Sequence, residues 1–405
     1  MKAWGPLSFH RQLSISVTMF LLLALSLVAC GGGTTGSGTT PTATSGSSTT
    51  AIATSGIATP TTAPGVKLGT QPCPNAVQAP AYWDSFVGVT PQTSVAKVEC
   101  ANLIGSPSLQ ALVTVVYNGT GRIIDVYVFD KITDPSPKQI FKLLGLYAGD
   151  AKISAYNTVL TAEVDNNSTI NKNVSNAGLQ RDLFREFKWS DQLTTLVPVA
   201  FPAFFPDLTR YQAELDQGQV NQGQQAWKLS ATQTAQMFVA SDHFLKWGPN
   251  ATATIVSGGG AHDASAVVNV KGGHPGGSVQ VSMSRLEGNT NGGIWEITSA
   301  TSNGMSIGAP AANSLQSSPV SVSGSGTAFE GKIGAVSVLD HLYNDIGHAN
   351  ASGANGNGHT TFSSNITYHS DFQGGAQEGI IVLYSFSQAD GSIAGVVAVK
   401  VLLGK

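Results

Sequence analysis

The chain has 405 residues, of which only 11% are charged, and its formal net charge is −3. An average soluble domain carries about 25% charged residues, so this surface is dominated by neutral polar groups. No basic cluster stands beyond the N-terminal segment, which excludes a nucleic-acid surface, because such surfaces neutralise phosphates with many Lys and Arg.

Lys2, His10 and Arg11 precede an apolar run over 13–29. At about 17 residues the run lies at the lower limit for a membrane-spanning helix, and it ends in small residues suited to cleavage. It closes on Leu27-Val28-Ala29-Cys30, which resembles the lipobox of bacterial lipoproteins. That resemblance implies cleavage before Cys30, which makes 1–29 a lipoprotein signal peptide. It also implies lipidation of the Cys30 thiol by diacylglyceryl, with acyl chains of the palmitate type. An ordinary signal peptide with an incidental cysteine is the alternative. Two acyl chains suffice for stable anchoring where one is marginal. The expected location is therefore the cell membrane, lipid-anchored, facing the extracytoplasmic side.

From 31 to 66 there is no charged and no aromatic residue, only Gly, Ser, Thr, Ala, Pro and a few aliphatics. Such a composition cannot bury a core, so 30–66 is expected to be the lipidated Cys followed by a disordered tether, with a mean span of roughly 30–36 Å. With Cys30 taken by lipid, Cys73 and Cys100 remain. In an oxidising compartment an isolated pair reads as one disulfide, two buried free thiols being the alternative.

The mature chain of about 375 residues has room for two or three domains. The first is expected over 67–227 and is β-rich, with strands over 109–117, 122–129, 153–164 and 193–201. Two of these runs flank Asn118-Gly119-Thr120-Gly121, the strongest short-range signal for a hairpin. Pro206-Asp207 is expected to open a helix through about 219, with Asp207 as its cap. A small α+β domain follows over 228–304. Ser230-Ala231-Thr232-Gln233 is a capping-box pattern, and Ala231, Ala235, Phe238 and Leu245 share one helical face. Four strand-like runs, 251–256, 264–270, 278–283 and 293–299, form an expected meander.

The last hundred residues carry short strands between Pro, Gly and Asn turns, the pattern of a β-sandwich. They include Ile307-Gly308-Ala309-Pro310, Ser317-Ser318-Pro319-Val320-Ser321-Val322-Ser323-Gly324 and Ala328-Phe329-Glu330-Gly331. Gly379-Ile380-Ile381-Val382-Leu383-Tyr384-Ser385-Phe386 and Asp390-Gly391-Ser392 follow, before a closing strand over 396–402. In that order these motifs resemble the immunoglobulin-like domain of bacterial spore germination, over 305–405. The resemblance implies a sandwich carried on exported bacterial proteins, with no known catalytic residue; it does not make the chain a germination factor. The stretch 343–361, rich in His, Asn and Gly, departs from the pattern and reads as long loops.

Candidate chemistry is sparse. Gly304-Met305-Ser306-Ile307-Gly308 matches the hydrolase elbow G-x-S-x-G, but Ala309-Pro310 and a strand follow where that motif needs a helix. His341, His348, His359 and His369, with Asp340, Asp345 and Asp371, lack the rigid spacing of a metal site and read as solvated loop residues. Ser257-Gly258-Gly259-Gly260-Ala261-His262-Asp263 lacks the Lys-Ser/Thr of a phosphate loop and reads as a turn. Phe201-Pro202-Ala203-Phe204-Phe205-Pro206 reads chiefly as core packing, with aromatic faces for a sugar or peptide as the other role. No catalytic residue, metal ligand or cofactor is indicated.

The fold class expected is mainly β with α+β: a β-rich N-terminal domain, a small α+β domain and a C-terminal immunoglobulin-like β-sandwich. The function expected is that of a non-catalytic, lipid-anchored surface protein that binds wall polymer or an envelope protein. The alternatives are a solute-binding lipoprotein for a transporter, disfavoured by the lack of two βαβ lobes, and an unrecognised hydrolase in 67–227.

Overall fold

A computed structural model describes residues 64–404 except 120, 249, 273–276, 289–291, 355, 371, 373 and 374. The signal segment, the Leu27-Val28-Ala29-Cys30 motif with the lipidation site Cys30, nearly all of the tether, and Asp371 lie outside the described residues. All described residues belong to one compact unit, Pro60–Lys405.

Two short helices open the described chain, α1 (Asn75–Gln78) and α2 (Pro80–Val87). Proline starts α2 where its missing N–H costs nothing, and Gly88 ends it in the left-handed region at φ 69°. An antiparallel sheet follows, built from β1 (Thr93–Ala101), β2 (Gln110–Tyr117), β3 (Ile124–Asp130) and β4 (Lys138–Leu146), paired in chain order. Val113, Val115 and Phe129 pack one face against Trp83 of α2. Leu112, Val126 and Val128 pack the other face against a second antiparallel sheet. That sheet comprises β5 (Asp150–Ile153), β6 (Val159–Glu163), β7 (Leu183–Ser190) and β8 (Thr195–Val199), also in chain order. Because β2 is buried on both faces, its sequence is apolar over 111–116 with only Thr114 interposed, rather than alternating. A Cys73–Cys100 disulfide, 27 residues apart in sequence, ties the N-terminal segment to β1; closing a loop of that length stabilises the fold by roughly 3–4 kcal/mol in the chain-entropy model.

The single strand expected over 153–164 is a hairpin. Ser154 N–H donates to the Thr158 carbonyl at 2.9 Å, and Asn157 turns the chain at φ 59°. Asparagine tolerates that left-handed conformation, which the apolar pattern on either side does not reveal.

Helix α3 (Arg210–Asn221) begins later than expected and is capped by Thr209, whose side chain accepts the Gln212 N–H; Asp207 is not the cap. Helix α4 (Ala231–Ala240) is capped by Ser230, which accepts from Gln233 N–H as its sequence pattern implies. The helix stops at Ala240, so Leu245 joins the same core from the turn beyond it. The meander is present as β9 (Thr252–Gly258), β10 (Ser265–Lys271), β11 (Ser278–Ser284) and β12 (Glu296–Ser302), with α4 packed over β9 and β10.

The remaining strands are β13 (Ser306–Ala309), β14 (Leu315–Gln316), β15 (Val320–Ala328), β16 (Lys332–Leu339), β17 (Asp345–Ser352), β18 (Gly358–Ile366), β19 (Gln377–Phe386) and β20 (Ile393–Leu403). Strands β13, β15 and β18 form one face of a sandwich. Val320, Val322, Phe362 and Ile366 on that side meet Val336, Val338, Ile381, Leu383, Val397 and Val401 on the other. The second face is part of a nine-stranded sheet in the order β17-β16-β19-β20-β12-β11-β10-β9, with β14 beside β20. The meander and the sandwich are joined where Ala300 and Thr301 of β12 pair with Ala398 and Val397 of β20. The stretch 343–361, expected as loops, is largely β17 and the start of β18. Cross-strand partners order it, so its loop-like composition is overridden by pairing.

Candidate functional site

The segments on either side of α3 come together, Asp207 before the helix meeting Lys228 after it. The chain leaves β8 through Phe201-Pro202-Ala203-Phe204-Phe205-Pro206, of which Phe201 and Phe204 are fully buried and only Phe205 of the three phenylalanines reaches a surface. After α3, Gln225 takes the left-handed conformation at φ 48° and starts a one-turn 3-10 helix, Ala226–Leu229. The Lys228 carbonyl accepts Trp295 N–H at 2.8 Å, which pins this turn to the start of β12.

Between these segments and α4 lies a groove of about 390 Å³, within the size range of small-ligand sites. Phe205, Trp227 and Met237 supply apolar walls, and Asp216, Gln225 and Ser241 supply polar groups. The Phe205 and Trp227 rings stand 6.4 Å apart and tilted by 40°, both half-buried, while Met237 is 47% exposed.

Beneath the groove sits Lys228, only 3% exposed. Its ammonium contacts Asp216 directly and Asp207 at 3.4 Å, and it lies 5.4 Å from the centre of the Trp227 ring. Behind Asp207 is the fully buried Glu296, whose Oε2 accepts the Asp207 N–H at 3.4 Å. Burial, followed by the neighbouring Asp207 carboxylate, pushes the Glu296 carboxyl well above the usual range. Burial also raises Asp207, with Lys228 opposing. Asp207 and Asp216 both face the Lys228 ammonium. Asp216 is the more open of the two.

Sequence reasoning gave Asp207 only a capping role and assigned no function to Asp216, Trp227, Lys228 or Glu296. One available signal was the position of Asp207 and Lys228 beside aromatic residues in a chain with few charges.

The other candidates are resolved differently. Ser306 begins β13, with its hydroxyl 2.8 Å from that of Ser325, and the strand context offers no nucleophile elbow. The glycine-rich stretch 257–263 spans the end of β9 and the turn into β10. His348 and His359 lie on β17 and β18. His341 is not solvated: it is buried, its Nδ1 meets the side-chain amide Oε1 of Gln377, and its Nε2 is 3.9 Å from Asp182, an ionic distance. Burial works against its proton, but Asp182, Asp340 and Gln377 prevail and raise its pKa. Among the described residues no three His, Cys, Asp or Glu side chains converge as a metal site, and no helix is long and apolar enough to cross a membrane.

Residues 305–392 match the family model of the immunoglobulin-like domain of bacterial spore germination, a region running from the start of β13 to the end of the β19–β20 turn. No curated protein matches the chain.

Proposed function

We propose that this is a non-catalytic binding protein of the bacterial cell envelope, lipid-anchored through Cys30 and facing outward, whose groove holds an uncharged or amine-bearing saccharide segment of the wall polymer. The observation that carries the reading is the groove itself. Phe205 and Trp227 offer flat apolar faces for the C–H side of a sugar ring, and Asp216, Gln225 and Ser241 offer hydrogen-bonding groups beside them. Asp216 beside the aromatic faces favours a neutral or cationic ligand over a phosphate-bearing one. The export signal and the family matched over 305–392 support a surface location for such a binder.

The test is co-sedimentation with purified sacculi, alongside titration with soluble N-acetylglucosamine oligomers. Point substitutions suit this protein better than deletions, because removing β20 would open the nine-stranded sheet at β12. Trp227→Ala and Met237→Lys are each expected to weaken binding by about tenfold or more, equivalent to about 1.4 kcal/mol. Met237 is exposed, so its substitution leaves the core intact. Equal binding by both variants, or no binding by the unaltered protein, refutes the saccharide reading. Specific capture of an envelope protein through the same residues would replace it.

The convergence of Asp207, Asp216 and Glu296 also favours a hydrolytic reading. Against it, Asp207 and Asp216 are both held by Lys228, and Glu296 has no solvent exposure. Release of reducing ends from sacculi that disappears in Asp216→Asn would establish hydrolysis in place of simple binding.

A further inference from the structure

A buried polar atom loses its water, and the fold must supply a partner in its place. The turn between β16 and β17 carries His341, whose side chain is 5% exposed, and the chain entering β7 carries Asp182, whose side chain has no exposure. The two belong to different parts of the molecule. His341 sits on the C-terminal sandwich, and Asp182 leads into the second sheet of the N-terminal region. A second contact joins the same two segments, Asn344 Nδ2 donating to Thr169 Oγ1 at 3.2 Å.

Hydrogen bonds fix the state of each partner. Gln377 Nε2 on β19 donates to Ser370 Oγ, which leaves Gln377 Oε1 facing His341 Nδ1. An amide oxygen only accepts, so Nδ1 carries a hydrogen. Across the contact, Asp182 Oδ1 accepts the Asp165 N–H at 2.8 Å, and Oδ2 faces His341 Nε2 at 3.9 Å. Neither that Oδ2 nor that Nε2 has a hydrogen-bond partner among the described residues. In a neutral ring Nε2 sets a lone pair against a carboxylate; once protonated, it sets an N–H there.

We infer that His341 is a proton-operated latch between the sandwich and the N-terminal sheets, closed when Nε2 is protonated and held to Asp182, and open when that proton leaves. The charges around the ring suit this role. Asp182 faces it from the chain before β7 and Asp340 from its own turn, while Gln377 faces it from β19 without charge. Neighbouring groups are engaged elsewhere: Glu378 with Lys400, Arg185 with Glu163, and Asp345 with the Ser337 hydroxyl. Burial works against the proton, yet Asp182, Asp340 and Gln377 raise the His341 pKa above 6.5 in spite of it. The latch is therefore fully closed below 6.5 and is released as pH rises through the raised value.

Hydrogen exchange at about pH 5.5 and about pH 8.5, corrected for intrinsic rates, tests this. The hydrogen-bonded amides of Ser168, Asn171, Lys172, Leu342 and Asn344 should lose protection by about tenfold or more at the higher pH. Amides of β10 and β11 serve as the reference for any general loss caused by buried carboxyls elsewhere. In His341→Gln the local loss should shrink to that reference, and Asp182→Asn should lower the pH at which the His341 ring titrates by NMR. Protection that falls no more at the contact than in the reference overturns the inference, as does a local loss that persists in His341→Gln. A His341 ring that titrates below 6.5 in the unaltered protein overturns it too, and that measurement needs no variant to fold. None of these residues lines the groove, so the outcome is separable from saccharide binding.

Discussion

Lys400 and Glu378 form an ion pair with almost no access to water, at 3.2 Å. The pair also fastens a distant segment, because Lys400 Nζ donates to the Leu208 carbonyl at 2.5 Å and Glu378 Oε1 accepts the Phe201 N–H at 2.9 Å. Burial pushes the Glu378 carboxyl up to about 7 even against the pull of Lys400, and it lowers Lys400 in turn. A buried pair adds little over an apolar pair, but removing one partner leaves the other charge stranded. Glu378→Gln is therefore expected to cost about 3–5 kcal/mol, read as a lower urea midpoint with an unchanged denaturant slope. A neutral result would mean that water reaches Lys400 in this fold.

At the scale of elements, helix starts depend on a single side chain. Ser230 accepts from Gln233 N–H at the head of α4, so Ser230→Ala should cost about 1 kcal/mol in thermal or denaturant unfolding. Asp207 lies two residues before the Thr209 cap and answers to Lys228 and Glu296 instead. Its loss should be felt in the groove rather than as fraying of α3. Strands obey a longer-range rule. Asp345–Ser352 becomes β17 because β16 offers partners along its length, from Lys332 opposite Ser352 to Leu339 opposite Asp345 with two register shifts, and a composition poor in apolar residues does not prevent it.

Across the whole molecule, buried acids set the response to pH. Glu287 and Glu378 are each pushed by burial from 4.5 up to about 7, and Glu163, Asp207 and Glu296 are raised as well. A carboxyl whose folded pKa exceeds its unfolded value contributes stability that is full below the unfolded value and lost as pH rises through the folded one. His341, raised above 6.5, follows the same sign at higher pH. Stability should fall steadily between about pH 5 and pH 8, as measured by urea midpoints at constant ionic strength. A flat or rising profile would show that these groups are solvated in the folded protein.

Local physics made much of the architecture legible. The Asn-Gly hairpin between β2 and β3, the Ser230 cap, the four-strand meander, the Cys73–Cys100 pairing and the immunoglobulin-like region each follow from apolar period, turn chemistry, redox compartment or a run of motifs. Those signals lie within a few residues of one another, apart from the cysteine pair and the C-terminal motif run. The groove was not legible, because Asp207, Asp216, Lys228 and Glu296 come from four separate segments, and only folding sets Glu296 behind a residue 89 positions earlier. The merging of meander and sandwich into one sheet, and the meeting of His341 with Asp182, were likewise decided by tertiary structure. Strand pairing and charge burial depend on which surfaces meet, and a one-dimensional pattern carries only the faces an element presents.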